Sequence, residues 1–242
     1  MLSLESLAVV LALCAVLSVL SYWFGLLTLS GSIASFLVGI VIGGLGSIGW
    51  LLTLIVFTFM GFFVTKFRFQ IKETKGLQEG KKGERTYRNV LANGLVPAAV
   101  AVISFLLGEQ ESTLASIAYI SSIAVAAADT TASELGVLSD RAYLITTGKR
   151  VPPGTDGGVS VLGTSWSIVA SIAASYVGWL FAFQQLFDPL LVIPVVIGVA
   201  GCMMDSLIGA TLERRGMVGK LQNNIMSMAF GGAVAAAIYV LL

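Results

Sequence analysis

"FRFQIKETKGLQEGKKGERTYRN", residues 67–89, is the longest stretch of the chain not dominated by apolar side chains, and the fold turns on how it is read. It is too short to bury a core of its own and fold alone. On either side lies hydrocarbon. Of 242 residues, 57% are hydrophobic and 11% charged, with a mean hydropathy of +0.93, whereas soluble domains carry about 25% charged residues. The chain therefore reads as an integral membrane protein, and 67–89 as one of its loops. That loop is either a flexible linker or a basic arm drawn to anionic lipid heads. The expectation is mixed: a mobile middle around Gly76 to Gly83, and an ordered end from Arg85 to Asn93.

A helix needs about 20 mainly apolar residues to cross the hydrocarbon core. Eight such runs fall near 4–24, 31–47, 49–66, 90–107, 113–136, 161–183, 189–211 and 222–242. The least marked divisions are "GGLGSIG" after the second run and "QQLFDP" after the sixth. The basic residues test this count independently. All fourteen lie in three segments: eight in 66–88, three in 141–150 and three in 214–220. These follow the third, fifth and seventh runs, so they share one side, which the positive-inside rule makes cytoplasmic. The opposite loops carry Glu5, Glu109, Glu111 and Asp188. The expected architecture is an all-α polytopic membrane helical bundle of about eight transmembrane helices, with both termini on the non-cytoplasmic side. It forms a single integral membrane domain over 1–242, with cytoplasmic loops at 67–89, 137–160 and 212–221. The apolar run Leu7 to Leu20 lacks a basic leader and a small-residue cleavage site, so it reads as a first span and not a removed signal.

Composition excludes several chemistries. There is no histidine, which removes the usual proton shuttle and the commonest metal ligand. Cys14 and Cys202 sit in apolar runs and read as small buried hydrophobes. "GLGSIG" at 44–49 matches a dinucleotide fingerprint, but no strand precedes it and no acid follows at the required distance. "GIVIG" at 39–43 is a small-residue packing face. "GMVGK" at 216–220 lacks the spacing of a P-loop. Nothing in the charge pattern points to nucleic acid.

Polar residues inside spans are expensive and point to function. Asp129 and Glu134 lie in "AAADTTASELG", at the end of the fifth span, and Asp205 in "GCMMDSLIGATLE", at the end of the seventh. Asp129 and Ser133 share a helix face. Glu134 lies roughly 140° round from Asp129 at about 100° per residue. Either the helix breaks there or the two carboxylates serve different partners. Asp129 and Asp205 each follow a long apolar run and precede small or hydroxyl residues that would admit a ligand. Hard oxygen ligands beside a phosphate-bearing substrate are how Mg²⁺ is usually held. Glu213, followed by Arg214 and Arg215, reads instead as a helix-end acid facing water.

"VPPGTDGGVS", residues 151–160, is either a tight turn with a capped helix or an anion nest, with unobstructed backbone at Gly154, Gly157 and Gly158 ahead of a helix N-terminus. Thr155 and Ser160 add hydroxyls, and Lys149 and Arg150 precede it as counter-charges. Asp156 would serve as a metal ligand or as the helix cap. "ERTYRNVLANG" places Arg85, Arg88 and Asn89 before the fourth span. Asn93 lies one turn further, on the face of Asn89. "QNNIMS" opens the eighth span with Asn223 and Asn224, one of which could serve as its cap.

Together, "ADTTASELG", "LITT", "VPPGTDGGVS", "DSLIGATLE" and "RNVLANGLVP" resemble the signatures of the membrane family that contains phytyl-phosphate kinase and animal transmembrane protein 19. That family has been likened to polyprenol and phytol kinases and to CTP-using lipid cytidylyltransferases. The resemblance extends over nearly the whole chain. It implies a prenyl-phosphate kinase that moves a phosphoryl group from CTP or another nucleoside triphosphate, with Mg²⁺, to an isoprenoid monophosphate. Carried over by motif, it implies roles for Asp129, Ser133 and Glu134, for Thr146, Thr147, Gly154, Thr155, Gly157, Gly158 and Ser160, and for Asp205. On this reading Asp129 and Asp205 hold the metal, joined by Glu134 or Asp156, while the 154–158 nest, Lys149, Arg85 and Arg88 cradle phosphates. The partners implied are an isoprenoid phosphate, the nucleotide and membrane lipids, with a homo-oligomer left open and the active face at the cytoplasmic side of the cell membrane. Two other readings stand beside it: a cytidylyltransferase making a CDP-lipid, and a transporter with its carboxylates on an ion path.

Overall fold

The computed structural model describes residues 4–110 and 112–242; Glu111 of the outer-side acids lies outside the described residues. Among the described residues, eight helical segments have the length and hydropathy to cross a membrane, and their bounds match the eight apolar runs within a few residues. Their α-helical parts are α1 (Leu4–Trp23), α2 (Leu29–Val41), α3 (Ile48–Lys66), α5 (Tyr87–Leu107), α6 (Thr113–Gly136), α7 (Val161–Phe183), α8 (Val192–Ile208) and α9 (Lys220–Leu241), the second span continuing to Gly46 and the seventh running from Pro189 to Glu213. A short α4 (Phe69–Thr74) lies between α3 and α5. The two weakly marked divisions are real. α2 ends in a π turn, Ile42–Gly46, and Ser47 then caps α3 by accepting from the Trp50 amide at 3.1 Å. Gln184 closes α7 in the left-handed conformation, and Asp188 caps the turn before α8.

α6 is the hub, far more enclosed than any other span. Its alanines and serines let neighbouring helices approach closely, the usual solution where no hydrophobic effect drives helices together. A Cβ on Gly198 of α8 would lie 2.2 Å from Ser171 Oγ, and one on Gly201 2.3 Å from a Val125 methyl. Gly39 and Gly43 of the "GIVIG" face similarly admit Cys14 and Val10 of α1. At the opposite end Trp50 stacks on Tyr119 at 4.4 Å, and the Tyr119 hydroxyl donates to the Trp50 carbonyl at 2.7 Å.

The structure shows that the first part of 67–89, ahead of the middle around Gly76 to Gly83, is anchored to the bundle and not a free linker. After α3 the chain reverses through Arg68, a non-glycine residue at φ 51°. This turns α4 back so that Lys72, 1% exposed, reaches under the end of α3. Its Nζ donates to the carbonyls of Val64 (2.9 Å) and Thr65 (2.7 Å) and to Glu134 Oε2 (2.6 Å). A cation is thus placed on the carbonyl end of one helix and neutralises a carboxylate buried on another. Gly83 lies against Lys66 and Phe69, with no room to spare for a side chain.

Within this all-α architecture a small antiparallel sheet lies between α6 and α7, in the order β2 (Arg150–Val151), β1 (Ala142–Leu144), β3 (Gly158–Val159). It folds the 151–160 loop back over the end of the bundle.

Removing one partner of a buried pair strands the other charge, at a cost of about 3–5 kcal/mol. Lys72→Met should therefore lower the thermal stability of the detergent-solubilised protein far more than Lys75→Met, whose exposed 3.5 Å pair with Asp140 contributes no more than about 1 kcal/mol. Equal shifts in melting temperature would contradict the placement of Lys72.

Candidate functional site

The three basic segments, separated in sequence, meet at one end of the bundle around a cavity of about 870 Å³. Its lining includes Arg85, Arg88, Asn89, Asn93, Asp129, Ser133, Glu134, Asp156, Asp205, Asn223 and Asn224, together with Gly154, Thr155, Gly157, Gly158 and Ser160. Most of the residues singled out in the sequence therefore share one space.

Its acidic part is built from three helices. Asp129 of α6 and Asp205 of α8, helices packed on one another, both line the cavity. Asn223 Nδ2 donates to the Asp205 carbonyl (3.1 Å), to Asp205 Oδ2 (3.3 Å) and to Glu213 Oε2 (3.1 Å). Ser227 Oγ donates to Asp205 Oδ1 at 3.2 Å. Asn224 Nδ2 donates to Asn93 Oδ1 at 3.3 Å. Neither asparagine caps α9, since Gly219 takes that position.

Glu213 was read as facing water, and the structure places it in the cavity wall. Eight residues after Asp205, an ideal α-helix would carry it about 80° away. α8 instead ends in a π turn, Gly209–Glu213, whose wider hydrogen-bond ring slows the rotation. Both carboxylates then meet the same Asn223 amide. Lys220 likewise lines the cavity and went unmarked among the loop cations.

Helix α6 runs unbroken through Glu134, so Asp129 and Glu134 serve different partners. Glu134 Oε1 accepts from Thr65 Oγ1 at 2.9 Å. The same hydroxyl accepts from Arg85 Nη2 at 2.9 Å, and Arg85 Nη2 lies 4.0 Å from Glu134 Oε1. The Arg85 backbone is pinned to the α1–α2 connection, accepting from Thr28 N and donating to Leu26 O, both at 3.0 Å. Burial pushes the Arg85 guanidinium down from its usual pKa, opposed by the charges of Glu134, Glu79 and Asp129. Arg88 is exposed and donates to the Tyr87 hydroxyl at 3.4 Å. Ser133 Oγ donates to Thr130 O at 3.1 Å.

The 151–160 loop is more turn than nest. The Gly158 amide donates to Thr155 O at 2.8 Å, and the Thr155 hydroxyl to Pro152 O at 2.7 Å, so these donors are already engaged. Ser160, not Asp156, caps α7, accepting from Gly163 N at 3.1 Å. Gly157, at φ +72°, is pressed against the start of the α8 π turn, where a Cβ would meet Ala210 N at 2.4 Å. Asp156 is thereby left exposed on the cavity side. Thr146, Thr147 and Lys149 do not line the cavity. They form the exposed turn joining β1 to β2, because the strand pairing that brings 157–158 inward carries this turn outward.

The donor set suits a hard cation. Asn223 Oδ1 and Asn224 Oδ1 are buried acceptors with no donor among the described residues, and two carboxylates adjoin them. Among the described residues no group of three or more acids or cysteines is close enough to hold an ion together. An ion there would complete its shell from amide oxygens, water or ligand phosphates, as Mg²⁺ commonly does.

The loop's seat is testable. Gly148, at φ +64°, has open space around it, so Gly148→Ala should cost about 1–2 kcal/mol of backbone strain alone. Gly157→Ala adds a backbone collision to similar strain and should lower the melting temperature severalfold more; equal shifts would mean the loop does not rest on the π turn.

The chain matches the family described as "Integral membrane protein DUF92" over residues 12–236. It is 34% identical to "Uncharacterized membrane protein MJ0933" of Methanocaldococcus jannaschii, covering 86% of this chain and 84% of that protein. It is 31% identical to "Protein VTE6, chloroplastic" of Arabidopsis thaliana, over 86% of this chain and 64% of the relative. Its identity to "Protein PGR" of the same plant is 34%, over 78% and 73% of the two chains. No solved structure matches it. With a family match spanning almost every helix that builds the cavity, the chain belongs to the integral membrane protein DUF92 family.

Proposed function

We propose that the protein is a prenyl-phosphate kinase, transferring the terminal phosphoryl group of a nucleoside triphosphate to an isoprenoid monophosphate. The observation that supports this most is that Asp129 and Asp205 face one cavity together with Arg85, Arg88 and Lys220. Phosphoryl transfer demands mainly positioning and charge neutralisation, and anionic and cationic groups facing one space meet both needs. In the reaction, a phosphate oxygen of the lipid forms a bond to the terminal phosphorus. The bond from that phosphorus to the bridging oxygen breaks, and the nucleoside diphosphate leaves with the electron pair. An acceptor already ionised as a phosphate needs little base catalysis, consistent with a chain that has no histidine.

Asp129 and Asp205 would hold Mg²⁺, with Asp156 and the free oxygen of Asn223 as further candidate ligands. Bound there, it would offset negative charge on the phosphates. Arg85, Arg88 and Lys220, which line the same cavity, bind and orient phosphate oxygens. Glu134 acts through Arg85 as a positioning residue, because Lys72 and Thr65 already engage its carboxylate. The isoprenoid tail remains among apolar side chains of the bundle. By the positive-inside rule this end of the bundle faces the cytoplasm, with CTP as the first donor to try.

The test is incubation of purified protein with terminally labelled CTP, Mg²⁺ and a panel of phytyl, geranylgeranyl and shorter prenyl phosphates. Labelled lipid diphosphate and CDP should appear, and Asp129→Asn or Asp205→Asn should each reduce the rate at least about 100-fold, since charge stabilisation of this kind contributes several kcal/mol. Release of pyrophosphate with a CDP-lipid would point to cytidylyl transfer instead. Unimpaired turnover in both variants would remove the assignment of the carboxylates.

A further inference from the structure

Between Gly76 (φ +67°) and Gly80 (φ +59°), the irregular segment 77–79 crosses one side of the cavity as a strap. Leu77 lies on the 151–160 loop, where a Cβ at Gly154 would come within 2.6 Å of its side chain. Gln78 Oε1 is buried without a donor among the described residues. Glu79 carries the one carboxylate of the strap, and it faces the cations and donors on the cavity wall. Its Oε1 accepts from Asn89 Nδ2 at 3.1 Å, and its Oε2 lies 3.9 Å from Lys220 Nζ. Arg85 lines the same cavity.

Two glutamates of the cavity lining are thus held very differently. Glu134 is 9% exposed and bound at 2.6 and 2.9 Å. Glu79 is 29% exposed, paired loosely with a lysine that is itself 67% exposed. An exposed pair of this kind contributes little and is readily exchanged. A polyphosphate brings more charge and more acceptor oxygens to the same donors than a single carboxylate does.

We propose that the Glu79 carboxylate is an internal stand-in for a ligand phosphate, and that Asn89 and Lys220, in the cavity that Arg85 also lines, form the anion subsite it fills until a polyphosphate displaces it. This rests on the reading of the cavity as a phosphate-handling site, but it concerns binding and not transfer. Displacement frees the 77–79 strap to swing about its flanking glycines. The resting protein therefore holds its cations neutralised and in place, and exchanges one anion for another when the nucleotide arrives.

Calorimetric titration of the purified protein with inorganic pyrophosphate, at fixed ionic strength and without a lipid acceptor, tests this. Glu79→Gln removes the competing charge and should tighten pyrophosphate binding about two- to fivefold, the range expected from losing one exposed pair. The gain should vanish in the Glu79→Gln/Lys220→Gln double variant. In the wild-type chain, pyrophosphate should also speed tryptic cleavage after Lys81 and Lys82, which adjoin the strap. Unchanged or weaker binding in Glu79→Gln, a gain that survives loss of Lys220, or cleavage insensitive to pyrophosphate would each overturn the proposal. None of these readings depends on prenyl-phosphate turnover. A chain that binds pyrophosphate as described but transfers nothing would refute the kinase reading alone, and a working kinase with an indifferent Glu79 would refute the stand-in alone.

Discussion

Two carboxylates facing one cavity, at the edge of a hydrocarbon slab, are the constraint on which the polar end of this molecule depends. Asp129 and Asp205 stand on neighbouring helices. Like charges in a desolvated place raise each other's energy, and ionisable groups in spans are retained for a purpose. The surrounding structure answers this cost. Ser227 and Asn223 donate to Asp205, and the three segments holding every lysine and arginine end on the same side of the bundle. The pair requires positive charge, and its setting supplies some from the protein and leaves oxygen acceptors for more.

A second dependence runs through Lys72. Its ammonium closes the end of α3 and neutralises Glu134, and Thr65 connects that pair to Arg85. The α3–α5 connection is therefore fastened at its start by Lys72 and at its end by Arg85, with the 77–79 strap held between. Arg85 enters the cavity because the ion pair behind it fixes where the guanidinium can lie. The 151–160 loop depends in turn on the π turn of α8, which accepts Gly157 and brings Glu213 round to Asn223.

The helical framework was legible because hydrophobic length and basic-residue placement are independent signals that agreed. Asp129, Asp205, Asn93, Asn223 and Asn224 were legible for a related reason: a polar residue in an apolar run has few explanations. Lys72 gave no such signal. One lysine among eight basic residues in a polar segment looks like any solvated charge, and only the reversal at Arg68 buries it. Glu213 was hidden by the two arginines that follow it, since a π turn leaves no trace in composition. Thr146, Thr147 and Lys149 went the other way. They belong to the same sequence block as the 151–160 loop, yet a short hairpin places them on its far side.

The account stands or falls on whether Asp129 and Asp205 hold a cation together with a bound polyphosphate. Electron paramagnetic resonance of Mn²⁺, substituted for Mg²⁺ in the presence of a non-hydrolysable nucleoside triphosphate, measures this directly. The account predicts one tightly bound ion per chain, coupled to phosphorus nuclei and lost in both Asp129→Asn and Asp205→Asn. Tight Mn²⁺ binding that survives both substitutions, or the same free-ion spectrum with and without the protein, would contradict it.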